Sequence, residues 1–290
     1  MKTLRYCCSE KDEGRILKNI LRSELHLSRS TTGSLKYSGG ILVNGIAAHT
    51  DCRLKNGDVV SVNLSDDVES KVLPVKGEVH IVYEDDDILI VDKQAPLATM
   101  AGHTQPCDSL EARMLYHFGD GFSFRPVNRL DKGTSGLMAL AKHSHAQQLM
   151  QGYLHSDDYI REYTAVVEGV PQPPCGTVDA PIAEGDGVKR EVSPDGRRAV
   201  THYETLKTQN GYSLVHLRLD TGRTHQIRVH MSYLGCPIAG DYVYGKENSL
   251  LPGRFALHSS RLVLRHPMTG ERLEFNSEIP AEFERIMKNE

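Results

Sequence analysis

Three Asn-Gly pairs, Asn44-Gly45, Asn56-Gly57 and Asn210-Gly211, constrain this chain more than any other local signal. Each sits beside strand-type residues: Ile41-Leu42-Val43 before the first, Val59-Val60-Ser61-Val62 after the second, and residues 199–207 and 212–220 on either side of the third. Asn and Gly both tolerate positive φ, so the first pair ends a strand in a tight turn, the second makes a turn that leads into a strand, and the third closes a hairpin of antiparallel strands. Met268-Thr269-Gly270, between residues 261–264 and 272–275, predicts a last hairpin. Strands outnumber helices. The expected body is α+β, built on an antiparallel or mixed central sheet.

A chain of 290 residues has room for one large domain and a small one. The net charge of −4 hides a gradient. Residues 1–64 carry 10 Lys/Arg against 6 Asp/Glu, residues 66–121 carry 4 against 12, and the remainder balances. A basic front unit on a neutral body suits a module that grips nucleic acid. No apolar run approaches the roughly 18 residues of a membrane span, and Met1 to Glu10 is polar, without a signal core. The expected location is cytoplasmic. Six scattered cysteines, Cys7, Cys8, Cys52, Cys107, Cys175 and Cys236, include no Cys-x-x-Cys pair, which argues for reduced thiols and against zinc.

Ile16, Leu17, Ile20, Leu21, Leu25 and Leu27 recur with helical period, and Ser28 to Thr32 caps a second helix. With the two Asn-Gly turns, this predicts a compact α/β unit over residues 1–65, a linker over 66–78 containing Pro74 and Gly77, and a body over 79–290. In the body, Val79, Ile81 and Tyr83 alternate as a strand, and Asp85-Asp86-Asp87 reads as turn chemistry rather than a metal site. Ile88 to Val91 reads as a buried strand. A helix over 109–116, a buried strand over 136–142, an amphipathic helix over 144–156 and a strand over 162–170 follow. The last helix, over 224–234, is capped by Thr224 and closed by Gly235.

Two stretches carry chemistry. Asp131 lies in Asn128-Arg129-Leu130-Asp131-Lys132-Gly133-Thr134-Ser135-Gly136, just before a buried strand. A carboxylate on a loop backed by a rigid element is a candidate nucleophile, although an Asp also serves tight turns by itself. The second stretch is Thr221-Gly222-Arg223-Thr224-His225-Gln226-Ile227-Arg228-Val229-His230. Its arginines and histidines suit an anionic partner, either a phosphate backbone or the Asp131 carboxylate.

These stretches resemble the Arg-Leu-Asp-x-x-Thr-Ser-Gly and Gly-Arg-Thr-His-Gln-Ile-Arg-Val-His motifs of the RluA-type pseudouridine synthases. Arg161-Glu162-Tyr163 resembles their basic-x-Tyr strand, and Gly240-Asp241 and Leu257-His258-Ser259 their later landmarks. The front unit is similar to the S-four-type RNA-binding module, through Leu-x-Leu-Ser-Arg-Ser and Gly-Ile-Leu-Val-Asn-Gly. The resemblance implies an isomerase that detaches uracil from its ribose and rejoins it through C5, on the pseudouridine synthase fold, acting as a monomer without metal or cofactor. It implies Asp131 as nucleophile, Tyr163 stacked on the base, Arg228 paired with Asp131, and Arg129, Arg223 and His225 as site or RNA contacts. Leu257 would form the apolar wall, and Lys18, Arg22, Arg29 and Lys36 would meet RNA phosphates. Ribosomal RNA is the expected partner ahead of transfer RNA. The family commonly has His where Asn128 stands, which leaves no acid or base role for that position. A noncatalytic RNA-binding protein on the same fold is the rival reading, and intact Asp131, Tyr163 and Arg228 favour the enzyme. A Ser135 hydrolase lacks the Gly-x-Ser-x-Gly elbow.

Overall fold

A computed structural model describes residues 2–64, 72–102 and 108–289. The first part of the expected linker, residues 66–71, and Cys107 lie outside the described residues. The front unit runs β1 (Lys2–Cys7), a 3-10 turn (Glu10–Asp12), α1 (Leu17–Ser23), α2 (Arg29–Ser38), β2 (Ile41–Val43), β3 (Ile46–Ala47) and β4 (Val59–Leu64). Its sheet is antiparallel in the order β1-β4-β2-β3. Val60, Val62 and Leu64 point inward at every second position of β4 and meet Leu17, Ile20 and Leu21 of α1. Burying each such side chain stabilises by about 1.5–3 kcal/mol. Ser28 caps α2 as expected, its Oγ accepting the Thr31 N–H at 3.0 Å. Gly39, at φ 70°, ends the helix.

The polar N-terminal stretch forms an edge strand, β1. Its anchor is Asp12, a buried carboxylate that accepts from Tyr6 Oη, Ser9 N, Ser9 Oγ and Arg15 Nη1 at 2.6–3.0 Å. These bonds, led by the Ser9 N–H, hold its pKa well below the usual carboxylate range. Leu4 and Tyr6, and Cys8 just past the strand's end, turn toward the core at every second position, and the strand pairs with β4 along its length.

The body contains β5 (His80–Glu84), β6 (Ile88–Lys93), α3 (Leu110–Phe118), β7 (Ser135–Ala141), α4 (Ser144–Tyr153), β8 (Tyr159–Glu168), β9 (Cys175–Asp179), β10 (Ile182–Glu184) and β11 (Arg190–Val192). It continues with β12 (Val200–Gln209), β13 (Tyr212–Leu219), α5 (Gln226–Tyr233), β14 (Leu257–Arg265), β15 (Arg272–Asn276) and α6 (Ala281–Lys288). One large sheet is ordered β5-β6-β7-β14-β8-β13-β12-β9, with β15 added beside β14. It is mixed: β14 runs parallel to β7 and antiparallel to β8 and β15. The expected hairpins form at Asn210-Gly211 and at residues 266–271. Every residue of β7 is buried. Met138 and Leu140 enter the core on one face of the sheet, and Leu137, Ala139 and Ala141 enter the core on the other.

The front unit rests on the body. The Gln148 amide on α4 accepts from the Ser28 N–H at 3.0 Å and donates to the His26 carbonyl at 3.1 Å. Met268, in the turn after β14, packs against the front unit's core. Residues 72–78 run along α3, where the Val75 N–H donates to the Ala112 carbonyl at 3.0 Å. No helix of the described residues is long and apolar enough to cross a membrane.

Candidate active site

Asp131 occupies a bend that enters β7, and its neighbours explain the composition of that stretch. Thr99 Oγ1 donates to the Leu130 carbonyl at 2.6 Å and takes the Leu130 N–H at 3.3 Å. The Leu97 N–H holds the Lys132 carbonyl at 2.9 Å. A Cβ on Gly133 would lie 2.6 Å from the Phe255 ring. Gly136, at φ 105°, crosses β14 so closely that a Cβ would sit 2.3 Å from the Ser259 carbonyl oxygen. Only glycine fits where backbones approach like this. Ser135 is no nucleophile: it is buried, hydrogen-bonded to His258 Nδ1 at 2.9 Å and taking a bond from Arg254 Nη2 at 3.0 Å.

The helix carrying Arg228 starts later than expected. Thr224 does not cap α5; its N-cap position is His225, at φ 58°, with no side-chain cap. Gln226 organises the turn instead. Its Oε1 accepts from Thr221 Oγ1 at 2.8 Å and the Arg223 N–H at 2.9 Å, while its Nε2 donates to the Val200 carbonyl at 2.9 Å. His230 faces the interior, bonded to Thr201 Oγ1 at 2.8 Å and the Ala180 carbonyl at 3.0 Å, so it belongs to no anion site.

Arg228 is buried and sits at the centre. Its Nε and Nη2 bind Asp241 in a fork at 2.7 and 2.8 Å, and its Nη1 reaches Asp131 Oδ2 at 3.2 Å. The guanidinium lies over Phe255 at 4.3 Å and near Tyr244 at 5.0 Å. His225 Nε2 stands 3.9 Å from the same Asp131 oxygen. Tyr244 Oη accepts the Arg190 N–H at 2.8 Å and shares a hydrogen bond with His225 Nδ1 at 2.9 Å, which fixes the imidazole with Nε2 toward Asp131. Burial pushes the His225 pKa down, against the opposing pull of Asp131.

The cleft above Asp131 has a volume of about 620 Å³, and Arg129, Tyr163, Arg223, His225, Arg228 and Leu257 all line it. Every expected body residue therefore converges there. Tyr163 comes from β8 and is largely buried, which raises its pKa. Asn128 accepts the hydroxyl of buried Tyr159 at 2.7 Å, a positioning contact. Lys18, Arg22, Arg29 and Lys36 line a separate hollow of about 400 Å³ on the front unit.

Two neighbours of the site escaped the sequence reading. Asp241 stands out in the sequence only as part of a motif, and its partner, Arg228, comes to it through the fold. Lys93, wholly buried at the end of β6, donates from Nζ to the Leu97 carbonyl at 2.7 Å and the Gln94 carbonyl at 3.0 Å. Burial lowers its pKa to about 7, against the raising influence of Asp131. A charged pair, Asp92-Lys93, closing the apolar run Ile88 to Val91 was the one available signal. Asp85 serves its turn as expected: Oδ1 takes the Asp87 and Ile88 N–H groups at 2.7 and 2.8 Å, and Oδ2 takes His266 and Tyr83 at 2.9 and 2.8 Å. Asp85, Asp87 and His266 lie close enough together to hold an ion, but these bonds already occupy Asp85.

The model of the RNA pseudouridylate synthase family matches residues 87–233, the segment that contains Asp131, Tyr163 and Arg228. The chain belongs to this family of isomerases, which turn uridine into pseudouridine within RNA. It is 37% identical over 276 residues to an uncharacterised RNA pseudouridine synthase of Bacillus subtilis, YjbO, spanning 92% of this chain and 96% of that one. It is 35% identical to the ribosomal large subunit pseudouridine synthase D of Xanthomonas campestris, over 90% of this chain and 84% of that one. Among solved structures, human RNA pseudouridylate synthase domain containing 4 is 28% identical with a TM-score of 0.56, over 70% of this chain and 90% of that one.

Proposed function

We propose that the protein isomerises uridines in structured ribosomal RNA in the cytoplasm, acting as a single chain, with Asp131 as nucleophile. The observation that carries this reading is the Asp131 carboxylate, 3.2 Å from Arg228 Nη1, in a cleft shared with Tyr163 and Leu257. A uridine inside folded RNA must be flipped out before chemistry, at a cost of a few kcal/mol. Contacts from Arg129 and Arg223 to phosphate, and stacking on Tyr163, offset that cost.

With the base in the cleft, Asp131 opens the bond between C1′ and N1, either by attack on C1′ or by assisting elimination. The freed uracil turns between Tyr163 and Leu257 and rejoins through C5, whose proton then leaves. The apolar walls keep the detached base from escaping into water. Arg228 keeps the carboxylate charged and aimed, and His225 Nε2 stands on the same side. Lys18, Arg22, Arg29 and Lys36, in the S-four-like front unit, grip the backbone of RNA at a distance from the cleft. The likeness in name to ribosomal synthases and the basic front unit favour ribosomal over transfer RNA.

The test is Asp131→Asn, assayed by tritium release from uridine labelled at C5 in ribosomal RNA. The expected result is a loss of turnover of at least about a thousandfold with RNA affinity retained. Wild-type turnover in that variant removes Asp131 from the chemistry. Mapping pseudouridines in cells lacking the gene identifies the RNA.

A further inference from the structure

Arg161 is a buried cation on the cleft wall with little to hold it. It is 5% exposed; among the described residues its one hydrogen bond is from Nη2 to the Leu154 carbonyl at 3.2 Å, and its guanidinium lies 5.9 Å from the centre of the Tyr159 ring. Among the described residues its Nε has no hydrogen-bond partner and no carboxylate pairs with it. A guanidinium carries five N–H donors. Burying one without a counter-ion is costly, so such a group persists where a ligand supplies the anion. Gly222 leaves the room it needs: a Cβ there would fall 2.9 Å from Arg161 Nη1.

Beside Arg161 a second hollow of about 510 Å³ opens from the active-site cleft, sharing Leu154, His155, Leu219 and Arg223 with it. Arg198, Arg218 and Arg223 line this hollow, together with Asp157 and Asp220. The carboxylates are weak competitors. Asp157, 92% exposed, meets Arg218 at 3.2 Å, and Arg198 pairs with exposed Asp179 at 3.3 Å. Exposed pairs of this kind are worth little and yield to a phosphate, which Arg binds by two parallel bonds. Asp220 is held by His202 at 2.8 Å.

We propose that Arg161, with Arg198, Arg218 and Arg223, forms a subsite for the sugar-phosphate backbone next to the target uridine, so that the RNA strand leaves the active site through this hollow. The subsite rests on the reading of the cleft as a uridine site. Arg161 sits at the junction and takes the first phosphate outside the flipped nucleotide. The other three guanidiniums take the following one.

The test uses Arg161→Met, Arg161→Lys and the double variant R198A/R218A. Affinity is read by fluorescence anisotropy of a labelled decauridylate across a salt series, and turnover by tritium release from a large-subunit ribosomal RNA transcript. The double variant is expected to lower the slope of log affinity against log salt by about 1–2. It raises KM and leaves kcat near wild type. Arg161→Met is expected to bind about tenfold more weakly and to melt about 2–4 °C higher, because an unpaired buried charge is gone. Arg161→Lys restores part of the affinity. A purely structural Arg161 would instead lose stability on becoming Met. Unchanged affinity and slope in the double variant overturn the proposal, whether or not Arg161→Met folds. The affinity readings need no turnover, so an inactive wild type on that transcript sinks the functional reading and leaves the subsite to be judged by binding.

Discussion

Arg228 gives its Nε and Nη2 edge to Asp241, at 2.7 and 2.8 Å, and presents its remaining Nη1 to Asp131. A bidentate fork fixes the plane of a guanidinium, so Asp241 decides where Arg228 points. Asp241 Oδ1 also takes the Val243 and Tyr244 N–H groups at 3.1 and 3.3 Å, which positions the tyrosine that orients His225.

Asp241→Asn therefore acts on the active site from behind it. Asparagine turns an amide against the fork and leaves Arg228 half paired. The expected stability loss is about 3 kcal/mol by urea unfolding, and kcat falls about a hundredfold as the Asp131 geometry loosens. Full kcat with intact stability would show that Asp241 positions nothing.

Lys93 makes stability depend on pH. Its folded pKa of about 7 lies below the ordinary lysine value of 10.5 because burial penalises the ammonium. Between these values the unfolded chain holds a proton that the folded chain has released, so stability rises with pH across that window and levels off at its lower value below about 7, where both states hold the proton. The neutral amine keeps two N–H donors for its two carbonyl partners. Relative to Lys93→Met, wild-type unfolding free energy should climb by up to about 1.4 kcal/mol per pH unit between pH 7 and 9. Parallel curves for the two proteins would place the Lys93 titration elsewhere.

Gly136→Ala tests the strand crossing that aims the Asp131 bend. Its Cβ would meet the Ser259 backbone at 2.3 Å, at a φ of 105° that alanine rarely adopts. Backbone cannot swing aside as a side chain can, so the expected cost is about 3 kcal/mol or more, seen as a lowered melting temperature and reduced expression.

Removing residues 1–64 should weaken RNA affinity more than it weakens turnover at saturating RNA, because the hollow lined by Lys18, Arg22, Arg29 and Lys36 is remote from Asp131. Gln148→Ala frees the unit without deleting it, cutting two bonds to residues 26 and 28. Small-angle scattering of this variant should show a larger radius, and a scattering profile equal to wild type would mean that Met268 and its neighbours suffice.

Local rules carried much of this protein by themselves. Asn-Gly pairs, a Ser cap, helical spacing and an all-apolar strand depend on near neighbours, and the hairpins, α2, β6 and β7 follow from them. The motif residues Asp131, Tyr163 and Arg228 were legible for a different reason: several rare residue types in a set spacing resemble one known family. The sequence could not show what depends on residues far apart in the chain. The N-terminal strand finds its partner in β4, where Leu64 lies opposite Lys2, and α5 began at Gln226 because Gln226 reaches back to Val200. His230 turned inward to Thr201 and Ala180 instead of joining the cleft. Asp241 and Lys93 took their roles only when folding brought a guanidinium and two carbonyls to them. A charged side chain's meaning is set by what surrounds it once water is gone, and that environment is assembled by tertiary contacts rather than by its neighbours in the chain.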